Sequence, residues 1–343
     1  MKTIIKILLA VFVLSFVPAK YASAQTKKWS YQGIFSEGMS MVIDANDKCG
    51  FIDGKSKLVI PCQWEWANPF YEGLASVQDA NGKNGFINKT GKVVIPCQWK
   101  GAGSFSEGLA DVQDANDKWG YIDKTGKVLI PCQWKGAGSF SEGLAYVEDE
   151  NYKYGFIDKT GNLVIPCQWG FVGSFSEGLA PVRDSNGKWG FIDKTGKVVI
   201  PCQWEWAHAY SEGLAAVKDA NKKYGFIDKT GKVVIPCKWE DDLSTFSFKN
   251  GLAAVKDAHG TWGYIDKTGK VVIPCKWKEA SEFSEGLAAV QNISDRWGFI
   301  DMKGEIAFLC RFINVTPFRN GRASVIDING KTSFIYKTRK DAK

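Results

Sequence analysis

Nine cysteines, two histidines and a periodic row of glutamates are the residues whose types could do chemistry here. Eight of the cysteines (Cys62, Cys97, Cys132, Cys167, Cys202, Cys237, Cys275 and Cys310) hold one repeated place. It is the sixth in stretches such as KVVIPCQW at Lys92–Trp99, and Cys49 stands apart. A zinc centre needs ligands clustered as CxxC pairs, commonly with histidine, and the chain has no CxxC. Disulfides need Cα atoms about 4.4–6.8 Å apart. Equivalent positions in neighbouring three-stranded units would lie farther apart, because strands are spaced about 4.8 Å and stacked sheets about 10 Å. Alternation in VLIPC puts Cys132 with Val128 and Ile130 on an apolar face. The thiols therefore read as small packing groups, with disulfides between units as the alternative.

The other candidates are weaker. His208, in WEWAHAYSEG, and His259, in DAHGTWG, have no nucleophile and supporting acid nearby in sequence, so both read as incidental surface residues. Glu37, Glu72, Glu107, Glu142, Glu177, Glu212 and Glu285 recur in FSEG-like stretches. A glycosidase uses one differentiated acid pair, not a periodic row. A glutamate in nearly every unit suits a corner hydrogen bond to backbone N–H groups instead. DANGK at Asp79–Lys83 and DSNGK at Asp184–Lys188 lack the further oxygen ligands of a calcium loop and read as Asx-type turns. The expectation is a chain that is not an enzyme, with no catalytic residue, metal or cofactor.

The elements that position these residues come from one unit. The glycine of FSEG and its variants falls at Gly38, Gly73, Gly108, Gly143, Gly178, Gly213, Gly251, Gly286 and Gly321, in steps of 35 residues with one of 38. Such a period means a solenoid, a propeller or a linear array. The three extra residues lie in EDDLSTFSFKNG, which marks that connection as a loop. In the unit Phe105–Trp134, alternation predicts strands at Leu109–Asp114 and Trp119–Asp123 and a β-branched strand at Val128–Trp134. ANDK and KTGK are the turns, and Pro131 belongs at a strand end or an edge. No helix of normal length fits. The predicted fold is all-β: tandem three-stranded antiparallel meanders forming an open superhelical array, with a closed β-propeller-like ring as the alternative. Eight units are full and the ninth is truncated, as a cap would be: SVIDINGKTSFIYK supplies two strands only.

Lys2 and Lys6, the apolar run Ile7–Val17 and the small residues Ala22-Ser23-Ala24 read as a signal peptide over residues 1–24. The apolar run is too short to span a bilayer, which takes about 20 residues. Residues 25–343 form the repeat domain, expected to be exported to a periplasmic, cell-surface or extracellular place without membrane insertion. Three lysines leave with the leader, so the mature charge is +4 rather than +7. The lysines are spread over turns, which argues against nucleic acid.

KWGYID, GKVVIP and FSEGLA at this spacing resemble the WG (KWG) repeat family of bacterial proteins. The resemblance runs from Trp29 to about Lys337, although Cys49, Asn84, Tyr154 and Tyr224 replace the tryptophan in four units. It implies an exported repeat protein with a binding role and no general catalytic activity. The repeated framework then includes Trp119, Gly120, Trp189, Gly190, Trp262, Gly263, Trp297, Gly298, Cys97 and Cys132.

Binding residues should be sought where units differ. The connection after the third strand varies most, and Trp66, Phe171 and Trp206 are extra aromatics there. They are the candidate contacts to a protein or glycan partner. A second variable row, Ser76, Asp111, Tyr146, Pro181 and Ala216, reads as solvent-facing drift. The expected function is a binding or scaffold module, with a structural component of an envelope or extracellular matrix as the alternative.

Overall fold

A computed structural model describes residue 29 and residues 31–240 and 247–337. Residues 1–24, which the sequence suggests as a signal peptide, lie outside the described residues. Among them no helix is long and apolar enough to cross a membrane.

Among the described residues the repeats form nine β-sheets, each an antiparallel meander with its strands in chain order. The first blade holds β1 (Tyr31–Ser36), β2 (Met39–Ile43), β3 (Cys49–Asp53) and β4 (Leu58–Trp64). The second holds β5 (Trp66–Ala67), β6 (Leu74–Gln78), β7 (Asn84–Asn88) and β8 (Val93–Trp99). The third holds β9 (Gly101–Ala102), β10 (Leu109–Gln113), β11 (Trp119–Asp123) and β12 (Val128–Trp134). The three expected strands are present, but the unit has a fourth. The variable connection pairs for two residues with the following strand, as Trp66↔Gln78 and Ala67↔Val77 show. Two residues are too few to leave an alternation pattern, so the sequence hides this strand.

The array is closed, not open. In blades one to eight, the aromatic at the middle of the third strand meets the corner aromatic of the next blade edge-on or tilted. Phe51–Phe70, Phe86–Phe105 and Phe299–Phe318 have centroids 4.8, 4.9 and 4.8 Å apart. The same contact joins the ends of the chain, Phe334 to Phe35 at 6.0 Å. The expected cap is thus the ninth blade of a ring, packed on the first. Each interface buries a mixed cluster from two blades, such as Leu74, Phe86, Ile95 and Trp99 with Phe105, Ala110, Val112 and Ile122. Burying one such aromatic stabilises the fold by about 1.5–3 kcal/mol. A single three-stranded sheet is marginal in water, so these interfaces hold the molecule together.

The glycine of the WG pair has a steric cause. A Cβ on Gly120 would stand 2.5 Å from the Ile130 carbonyl oxygen and 2.7 Å from the Cys132 nitrogen. There β12 bulges: Trp119↔Trp134 and Tyr121↔Ile130 leave Pro131, Cys132 and Gln133 arched over the glycine. The arch accommodates a proline on an edge strand. It also seats the cysteine, whose Sγ lies 3.8 Å from the Val112 carbonyl oxygen on the far side of the glycine. None of the nine cysteines forms a disulfide: Cys49 is buried and the other eight are half-buried. The ninth blade, which has no fourth strand among the described residues, carries Ser333 where the others carry this glycine.

The row read as solvent-facing drift is in fact interior. Ser76, Asp111, Pro181 and Ala216 are buried and Tyr146 is half-buried, because that face of the second strand packs on the next blade, as Ala216 does with Phe248, Ala253 and Val255. Each side chain is matched by the residue after the short strand. Gly103 leaves room for the Asp111 carboxylate, Gly138 for the Tyr146 ring and Gly173 for Pro181. Asn68 donates to Ser76 (2.8 Å), and His208 stands beside Ala216, to whose carbonyl its backbone N–H donates (2.9 Å). The variation is complementary packing.

Candidate functional site

The short strand and the start of the third strand lie at one end of each blade. The last residue of the second strand pairs with both: Arg183 with Phe171 and Trp189, Lys218 with Trp206 and Tyr224. Successive blades bring these positions into one row along the rim. From Tyr154 on the third strand of the fourth blade to Tyr224 on that of the sixth, every place in the row is aromatic. Tyr154, Phe171, Trp189, Trp206 and Tyr224 follow one another with centroids 5.4, 5.8, 6.2 and 6.2 Å apart. Tyr146 joins the end of the row, 6.1 Å from Tyr154. The rings are tilted by 50° to 66°, so they form a corrugated strip. Trp189 and Tyr224 are buried, whereas Phe171 is 45% exposed and Trp206 half-exposed.

The candidate residues therefore separate. Phe171 and Trp206 sit on the strip, with Trp189 between them. Trp66 is 53% exposed but stands apart, because the neighbouring row positions are Cys49 and Asn84. Asn84 donates instead to the Lys100 carbonyl oxygen (3.0 Å). Trp119 is flanked by Gly101 and Gly136 and is also isolated. Tyr154 and Tyr224 read in sequence only as imperfect copies of the WG tryptophan. Their membership of the strip follows from the neighbouring blade, which the linear pattern does not display.

Charge frames the strip. The Lys218 ammonium lies 5.5 Å from the Tyr224 centroid. Lys188–Glu205 and Lys223–Glu240 pair at 2.5 Å on the same rim. His208 is half-buried, not an incidental surface group, with its ring 3.7 Å from that of Trp206. Burial pushes its pKa down to about 4 against the opposing pull of Glu282, so it is neutral near pH 7. Asp111 is buried between Gly103 and Ser139, whose hydroxyl donates to it at 3.4 Å, and burial raises its carboxyl to about 6.

The glutamate row occupies the opposite end of the second strands. Glu107 accepts a hydrogen bond from the Gly143 N–H (3.0 Å) in the next blade and an ion pair from Lys159 (3.0 Å). Burial raises its pKa, but Lys159 and Gly143 outweigh that and hold it below the usual carboxylate value. These carboxylates stitch blade to blade. Among the described residues no three His, Cys, Asp or Glu side chains are grouped to hold a metal ion.

A comparison with curated proteins returns no match. Solved structures with a similar course include a computationally designed protein, Ika8: 12% identity, TM-score 0.48, covering 79% of this chain and 95% of that one. BamB from Moraxella catarrhalis matches at 11% identity and TM-score 0.45, over 80% of this chain and 96% of its own. The WD40 β-propeller domain of Doa1 matches at 12% identity and TM-score 0.36, over 71% and 94%. The description "WG containing repeat" matches eight tandem stretches: residues 50–83, 85–119, 119–154, 154–189, 189–223, 224–257, 262–292 and 297–331. With its glycines under the arched fourth strands and its repeats covering most of its length, the chain belongs to the family of WG-containing repeat proteins.

Proposed function

We propose that this protein is a non-catalytic binding scaffold, exported from the cell, which holds a protein or glycan partner along the aromatic strip of blades four to six. The observation that carries this reading is the asymmetry of the strip. The framework repeats around the ring, while the unbroken run of five aromatic places is confined to one arc. Exposed Phe171 and half-exposed Trp206, with Trp189 between them, offer apolar area at low cost in side-chain entropy. Such rigid aromatic anchors dominate binding surfaces. Arg183 and Lys218 beside them give the strip a basic edge.

The test is a screen of the purified mature chain against a glycan array and a peptide library, repeated with the double variant Phe171→Ala, Trp206→Ala. Loss of the captured partner by roughly 10-fold or more, with the melting temperature nearly unchanged, supports the reading. A variant that binds as the parent does rejects the strip and favours a structural spacer. Export is checked by N-terminal sequencing of the secreted chain, which should begin at Gln25.

A further inference from the structure

The seam between the ninth and first blades departs from the pattern of the ring at four places that share one cavity. At seven corners a glycine N–H donates to a carboxylate of the preceding blade. Gly73, Gly108, Gly143, Gly178, Gly213 and Gly251 each meet their glutamate at 3.0 Å, and Gly321 meets Glu285 at 2.9 Å. The glycine and the residue before it both have φ > 0, at 84° and 50° in Gly38 and Glu37. Successive N–H groups in such a turn form an anion-binding concavity. At the seam the glutamate is replaced by Asn320, so the ring supplies no corner carboxylate to Gly38. The lysine that would pair with that glutamate is replaced by Gly54, the leucine of GLA by Arg322, and the turn aspartate by Tyr336.

Glu37, Gly38, Gly54, Asn320, Arg322 and Tyr336 line a cavity of about 380 Å³. This lies at the lower end of the range for small-ligand pockets, about 300–1,000 Å³. Arg322 is only 5% exposed, and its guanidinium is held over Phe35, 3.5 Å from the ring centroid. Its Nε has no acceptor among the described residues. The acids nearby are already engaged. Glu37 accepts from Gly73 and pairs with Lys89 (3.0 Å), and Asp53 accepts the N–H groups of Lys55 (2.8 Å) and Lys57 (2.9 Å). Gly286, facing Asn250, is the other corner without a carboxylate, but Leu287 follows it where Arg322 follows Gly321.

We infer that the seam cavity is a receptor for a carboxylate from outside the chain, bound where a corner glutamate sits elsewhere, between the Gly38 N–H and the Arg322 guanidinium. A small organic acid and the C-terminus of a peptide present the same group. Charge-assisted hydrogen bonds to it are about twice as strong as neutral ones. The site lies at the end of the blades away from the aromatic strip and does not depend on it.

The experiment is calorimetric titration of the mature chain with glutarate and with the peptide Gly-Gly-Gly-Ala-Ala, its C-terminus free or amidated. At least one carboxylate probe should bind, and amidation should weaken the peptide roughly 10–100-fold if the peptide is the form taken. Binding by glutarate alone assigns the site to small acids. Asn320→Glu places the residue of seven other corners at the seam and should fill the receptor. It is expected to abolish probe binding and raise the melting temperature without any probe. Arg322→Leu, the residue of the other GLA stretches, should weaken binding to a similar degree. No binding of either carboxylate at about 10 mM, equal binding of acid and amide peptide, or an Asn320→Glu variant that binds normally or melts lower would overturn the assignment.

Discussion

Replacing Gly120 by alanine tests the role assigned to the WG glycine. Its φ is not positive, so alanine suffers no backbone strain there. The damage must come from the added methyl group, 2.5 Å from the Ile130 oxygen, 2.7 Å from the Cys132 nitrogen and 2.8 Å from the Pro131 carbonyl carbon. All three are backbone atoms of β12 and cannot swing aside as a side chain could. Relieving the contacts means lifting the arch, which withdraws Cys132 from its seat and loosens the ladder beside Ile130. Overpacking of this kind costs about 1–3 kcal/mol. With the top of that range, the melting temperature should fall by roughly 6 °C. Thermal unfolding followed by tryptophan fluorescence measures it. Ser333 is the internal comparison, because no fourth strand covers it among the described residues, and Ser333→Gly should shift the melting temperature by about 1 °C or less. A loss under about 2 °C for Gly120→Ala, or an equal loss for Ser333→Gly, would falsify the argument that strand approach fixes the glycine.

Three further outcomes are expected. The thiols should resist iodoacetamide at pH 8 in the folded protein and give nine adducts after unfolding without reductant, read by intact mass. Burial raises Cys167, Cys237 and Cys275 to about 11, so rapid labelling of the native chain would contradict their seating. Asp111→Asn should stabilise the protein at pH 8 and leave it nearly unchanged at pH 4. A carboxyl raised to about 6 when folded stabilises the fold below its unfolded value and loses that contribution as pH rises through 6. The difference between the two pH values is up to about 3 kcal/mol, measured as paired urea midpoints. The corner carboxylates act with the opposite sign. Glu107 and Glu142 are held below their usual value, so their contribution is present near neutrality and is lost as pH falls through the depressed values. Glu107→Gln should lower the melting temperature at pH 7 and converge with the parent near pH 3.

Much of the fold is legible in the sequence because repetition multiplies weak signals. One Ala-Asn-Asp-Lys turn is ambiguous, but related turns in step along the chain fix the strand boundaries, and Val128–Trp134 is the same strand in sequence and structure. The two-residue strands are not legible. Trp66–Ala67 and Gly101–Ala102 share little residue preference, only a place beside the second strand. Without them the unit looks three-stranded and the ring implausible, and without the neighbouring blade a buried complementary row passes for surface drift. Arg322 does carry a signal, since NGRASV puts a charge where the other copies have leucine or methionine. Its meaning needs Phe35 and Gly38, which lie at the other end of the chain.

The sequence by itself determined the repeat, the turn chemistry and the all-β class, because these depend on spacings within one 35-residue step. Tertiary structure decided closure, the continuity of the aromatic strip and the open corner at the seam. Each is a relation between neighbouring blades, and the last joins Gly38 and Arg322 from opposite ends of the chain. The small rotation between successive units sets whether such residues meet, and that angle comes from packing across each interface, which no single repeat contains.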